Sequence, residues 1–245
     1  MTVLSIVATI PAAIALITVI LAKVEVPKAP LPLLILVGAI QNLSLLAVII
    51  GLGLKLSRSL GLGAPLLESL TRGERTTGTR GKLLTGLLAG LVVGIILVLL
   101  LFALVSRLPN LPFVLAARLP FWKRFLFCFY GGVYEEVFTR LFLLTLIAWI
   151  ANRTWRKATG ELSSAAFWFA NFLSAVLFGL GHLPAASLFL QITPLVVVVA
   201  IILNGIAGMT FGYLYRRNGL ESAMVAHFTA DFVIWVLGAS LLRAG

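Results

Sequence analysis

The sequence predicts an all-α fold: a polytopic transmembrane helical bundle of seven to eight spans with a polar cavity inside the bilayer. Three observations lead there. Of 245 residues, 61% are hydrophobic and only 11% charged, with a mean hydropathy of +1.12, far above the roughly 45–50% apolar content of soluble domains. The apolar residues fall in runs of about 20, the length a helix needs to cross a bilayer, without the alternation of membrane barrel strands. Finally, a few ionisable residues sit inside those runs. An Asp or Lys at mid-bilayer costs roughly 2.5–3.5 kcal/mol, so such residues pair with one another or line a wet cavity.

Seven candidate spans follow in order: residues 3–22, 31–54, 83–105, 124–151, 165–183, 189–215 and 221–242. Thr2 to Ala22 has no basic segment before it and is longer than a signal-peptide core, which predicts a retained first span. Residues 111–121, bounded by Pro112 and Pro120, are apolar but too short to cross and suit an interfacial or re-entrant piece. Gly86, Gly90 and Gly94, and again Gly208 and Gly212, recur every four residues; small residues at that period let helices approach closely in lipid. The whole chain, 1–245, reads as one integral membrane domain.

The net charge of +11 does not indicate nucleic acid. Its basic residues flank spans, where they orient helices and meet anionic headgroups. The connection 55–82 carries Lys55, Arg58, Arg72, Arg75, Arg80 and Lys82, with Leu60, Leu62, Leu66, Leu67 and Leu70 spaced for an amphipathic surface helix. Placing it in the cytoplasm, with Asn152–Ser164 (Arg153, Arg156, Lys157) and the Arg216-Arg217 turn, puts eleven basic residues inside. Seven fall outside: Lys23, Lys28, Arg107, Arg118, Lys123, Arg124 and Arg243. That pattern predicts a plasma-membrane protein with cytoplasmic basic loops. The one cysteine, Cys128, cannot form an internal disulfide.

Both histidines and three of the eight acidic residues lie inside apolar segments; Glu25, Glu68, Glu74, Glu161 and Glu221 lie in loops or at span ends. Residues four apart share a helix face, so Glu136 pairs with Arg140, an arrangement that cancels charge in lipid. Glu135, turned away by about 100°, has no such partner and is the best general base in the chain. Phe178 is spaced to cover His182, with Pro184 ending the helix beyond. His227 and Asp231 share a face of the last span. Any one of these residues alone reads as a satisfied structural group. Their joint confinement to three apolar segments favours one shared site.

The order Glu135-Glu136-x-x-x-Arg140, Phe178-x-x-x-His182 and His227-x-x-x-Asp231 on successive spans resembles the CAAX protease and bacteriocin-processing (CPBP, also Abi or Rce1-like) family. The resemblance covers roughly residues 120–240, the expected catalytic core, and Leu60-Gly61-Leu62 also looks like that family. It implies an intramembrane endopeptidase with no cofactor, acting on a peptide or protein presented at the membrane, prenylated or not. Glu135 would activate a water aided by His182, while His227 and Asp231 would stabilise the oxyanion. Glu136, Arg140 and Phe178 would support them. Asp231 departs from the Asn of the eukaryotic CAAX enzymes, and an ionised Asp would repel an oxyanion, so Asp231 is expected either to be protonated or to orient His227.

Two other functions fit the same residues. Two His and a Glu suit a zinc hydrolase, although the histidines come from distant segments and no His-Glu-x-x-His helix exists. A non-catalytic membrane protein, in bacteriocin immunity or as a scaffold or transporter, is the other. The simple topology also carries a conflict. At 1.5 Å per residue, His227 lies about 9 Å from the start of its span and His182 about 26 Å from residue 165, yet a shared site needs them together. The conflict eases if the fifth helix starts near Glu161 and stops within the bilayer at Pro184.

Overall fold

The computed structural model describes residues 30–73, 78–108, 110–155 and 161–244. The expected first span, 3–22, lies outside these, as do Lys23, Glu25, Lys28, Glu74, Arg75, Arg156 and Lys157. Among the described residues all regular structure is helical.

Helix α1 (Leu31–Arg58) carries Lys55 and Arg58 in its last turn, where cations complement the partial negative charge of the helix end. The short α2 (Pro65–Arg72) is closed by Gly73 at φ +69°, a left-handed position suited to glycine. Helix α3 (Thr79–Val105) follows, then the single turn α4 (Pro112–Ala116). The rod α5 comprises Phe121–Phe129, Tyr130–Glu135, Val137–Leu144 and Thr145–Thr154, its two middle stretches being wide π turns. Helix α6 (Ser164–Gly181) is capped by Ser163, whose hydroxyl accepts from Ala166 N at 3.1 Å. A one-turn α7 (Leu183–Ala186) leads to α8 (Pro194–Asn218), which Thr193 caps and Pro194 opens. The last rod, α9, runs from Leu220–Asp231 through a π turn, Phe232–Gly238, into Ala239–Ala244.

Four of these helices are long and apolar enough to cross a membrane: Thr79–Val105, Ser164–Ala186, Pro194–Asn218 and Leu220–Leu242. The expected 31–54 span lies within the 28 residues of α1. The expected 124–151 span is helical throughout, but its α-helical ladder is interrupted twice.

Glycine decides the packing. On α3, Leu84, Leu88, Val92 and Leu99 point outward, while Gly86, Gly90 and Gly94 lie against Ser222, Ala226 and Ala230 of α9. The rising pairs show that the two helices run parallel, so close that a Cβ on any of these glycines would strike α9. On α8, Gly208 and Gly212 meet Ala175 and Asn171 of α6, an antiparallel contact of the same kind. These stripes are the packing surfaces their spacing predicts.

The three basic connections gather at one end. Leu220 N donates to Gly63 O at 3.0 Å, Ser222 Oγ to Lys82 O at 2.9 Å, Arg216 to Ser164 Oγ at 3.4 Å, and Ser163 N to Asn152 Oδ1 at 3.0 Å. Here the expected amphipathic surface helix is only partly met. Leu60 and Leu62 are buried in the turn before α2, and Leu70 is exposed. Helix α2 is bound to the start of α9 through Leu67 N and Glu221 Oε1 at 2.8 Å, because the unpaired amides of its first turn need an acceptor. The 111–121 piece is likewise held by protein: Phe113 is buried edge-on against Phe102, centroids 5.5 Å apart.

Candidate functional site

The polar site lies where α5, α6, α8 and α9 meet. Glu135 and Glu136 sit at the junction of the two π turns of α5, and such turns, which gain one residue per bulge, are frequent at functional sites. The two glutamates separate as their spacing predicts. Glu136 is fully buried, with Oε2 3.4 Å from Arg140 Nε and Oε1 2.8 Å from His227 Nδ1. Arg140 is equally buried. It donates to Thr139 Oγ1 and to Gly208 O at 3.4 Å, and its guanidinium lies over the rings of Phe178 and Phe211 at 5.2 and 5.8 Å.

Glu135 turns the other way. Its carboxylate, 19% exposed, stands 3.7 Å from His227 Nε2 and 4.0 Å from His182 Nε2. Both separations exceed a direct hydrogen bond, and polar contacts of this length are commonly bridged by water. His227 Nε2 is also 3.8 Å from Asp231 Oδ2. The expected site residues Glu135, His182, His227 and Asp231 thus converge, with Glu136 and Arg140 tied behind them and Phe178 packed edge-on to both imidazoles, at 4.7 Å from His182 and 6.0 Å from His227.

The depth conflict closes through local geometry. Helix α6 starts at Ser164 and ends at Gly181, so His182 is the cap of a helix that stops there. Its ring folds back one turn, with Nδ1 2.8 Å from Phe178 O, in the direction helical side chains lean. Glu135 then reaches between the two imidazoles.

Three contributors are not singled out by the sequence reading. Phe211 stacks on His227, centroids 4.9 Å apart and planes at 30°. Gly131 passes so close to Asp231 Oδ2 and His227 Nε2 that a Cβ there would collide with both. Trp235 Nε1 donates to Asp231 Oδ1 at 3.2 Å. The last was available as an i, i+4 pair, and Gly131 as a glycine one helical turn before Glu135; Phe211 carries no signal that separates it from lipid-facing aromatics. Among the described residues no group of three or more His, Cys, Asp or Glu is arranged to hold a metal ion.

Fold and site together define a helical integral membrane protein in which buried Glu136 and His227 meet partly exposed Glu135 and His182 in a partly open cleft. Residues 117–233 match the family model described as Type II CAAX prenyl endopeptidase Rce1-like. Over that stretch the chain is similar to the CPBP, or CAAX protease, family of membrane proteases. No curated protein and no solved structure matches the chain.

Proposed function

We propose that this protein is an intramembrane endopeptidase in which Glu135 activates a water for attack on a peptide carbonyl. The supporting observation is the contrast between adjacent glutamates: Glu136 is consumed by Arg140 and His227, while Glu135, partly exposed, meets both Nε2 atoms only beyond hydrogen-bond distance, where a water beside them can bond to the carboxylate and a ring nitrogen together. Glu135 takes a proton from that water as its oxygen adds to the carbonyl carbon, and returns it to the departing amine nitrogen as the C–N bond breaks. His182, anchored through Nδ1 to Phe178 O, orients the water with Nε2.

His227 and Asp231 receive the oxyanion. Because Glu136 occupies His227 Nδ1, Nδ1 carries a proton, and donation from Nε2 calls for the imidazolium form. Donors fixed before the reaction stabilise the developing charge without reorganising. The substrate is a membrane-presented peptide or protein of the CAAX class, prenylated or not. The same reading places the protein in the cell membrane, with the end that gathers the 55–82, 152–164 and Arg216-Arg217 connections in the cytoplasm.

The test is cleavage of an internally quenched peptide ending in a CAAX sequence, farnesylated and unmodified, by the protein in proteoliposomes, with mass spectrometry mapping the cut bond. Glu135→Gln is expected to lower kcat by about 10²–10⁴-fold. A Glu135→Gln variant that cleaves at the wild-type rate overturns the assignment.

A further inference from the structure

Asp231 is held so that its two oxygens have different tasks. Trp235 Nε1, one turn along α9, lies 3.2 Å from Oδ1. An indole N–H donates and never accepts, so Oδ1 is committed as an acceptor. The other oxygen, Oδ2, is the one 3.8 Å from His227 Nε2 and the one lying against Gly131; it is the oxygen next to the ring nitrogen that Glu135 approaches at 3.7 Å.

The indole is itself fixed from behind. Trp235 belongs to the π turn Phe232–Gly238, where widening releases carbonyls from the α-helical ladder. Arg124, buried near the start of α5, supplies donors: its Nη1 lies 3.2 Å from Trp235 O, 3.3 Å from Val236 O and 2.9 Å from Ser240 Oγ. The helix that carries Gly131 and Glu135 therefore also clamps the backbone that aims the indole, and Phe127 of that helix packs against the Trp235 ring at 6.4 Å.

We propose that Trp235 is a positioning residue: its N–H occupies Oδ1, so that the proton of a neutral Asp231 sits on Oδ2 as an O–H donor directed into the cleft, with Arg124 clamping the indole in place. This rests on the endopeptidase reading and resolves how an acid serves an oxyanion without repelling it. The proton stays on Oδ2 through addition and collapse; only a hydrogen bond to the substrate oxygen forms and breaks. An Asn in this position would present the same pattern, with its amide carbonyl on the indole and its NH2 in the cleft.

Two measurements test it. In protein carrying 15N-labelled tryptophan in nanodiscs, the Trp235 indole resonance is identified by its loss in Trp235→Phe. Asp231→Ala should shift it upfield and speed its exchange with solvent, while Asp231→Asn should leave it in place. On the farnesylated quenched peptide, Trp235→Phe should lower kcat by about 10–100-fold with KM within about twofold. An indole resonance indifferent to Asp231→Ala overturns the proposal, as does an unchanged kcat in Trp235→Phe. If Trp235→Phe does not fold, the comparison of the Asp231 variants, assigned by difference against Glu135→Gln, carries the decision. If the wild-type protein leaves both peptides intact, the endopeptidase reading falls, and the indole shift alone decides whether Trp235 orients Asp231.

Discussion

Acidic side chains leave water in two regions of this molecule, and they do so differently. At the α2–α9 junction, Glu221 is buried and closes on backbone, its Oε1 accepting Leu67 N at 2.8 Å, while Glu68 Oε1 accepts Ala64 N at 3.5 Å. In the cleft, Glu135 keeps a fifth of its side chain exposed and meets its neighbours only at 3.7 and 4.0 Å. A carboxylate satisfied by backbone amides holds a fold together. One surrounded by polar groups just out of reach leaves room for a reactant.

The comparison is most sharply tested at the adjacent glutamates. Glu135→Gln should abolish most of kcat, about 10²–10⁴-fold, and leave the thermal midpoint in detergent nearly unchanged. Glu136→Ala strands a buried guanidinium and should destabilise by about 3–5 kcal/mol, read as a lowered unfolding midpoint before any kinetic measurement. If the two variants exchanged these signatures, the division of labour would be wrong.

At the other region the expected effect is smaller and purely structural. Glu221→Ala removes the acceptor of Leu67 N, which should cost about 1–3 kcal/mol; kcat per folded molecule should stay within about twofold of wild type, because Glu221 binds at the α2–α9 junction and not beside Glu135. The smallest expected change is none at all: phenanthroline should leave the rate of peptide cleavage unaltered, and inhibition reversed by zinc would replace the proposed chemistry with a metal-based one.

Much of this was legible from residue spacing. Glu136 and Arg140, Phe178 and His182, and His227 and Asp231 are each four apart in sequence, and helix geometry converts that interval into contact whatever the surroundings. The glycine stripes were legible for the same reason. What spacing cannot show is how helices end or widen. The π turns of α5 and α9 change the ladder without any Pro to announce them, and although Pro184 announces the helix stop, it does not show that the His182 ring folds back onto Phe178 O. The loop 55–82 was misjudged in part because its leucines fit a lipid surface as well as they fit a turn, and the buried acceptor that captures α2, Glu221, is more than 150 positions away.

Helix α3 carries none of the site residues named above, yet its Gly86, Gly90 and Gly94 meet α9 at Ser222, Ala226 and Ala230, each the immediate neighbour, or one turn before the neighbour, of His227 and Asp231. It serves as an anvil: the depth at which the imidazole and the acid stand is set by how far a bare backbone lets α9 retreat. The stretch 117–233 that carries the family resemblance therefore lacks its own backstop, and an excised fragment of that length should keep its residues but lose their alignment.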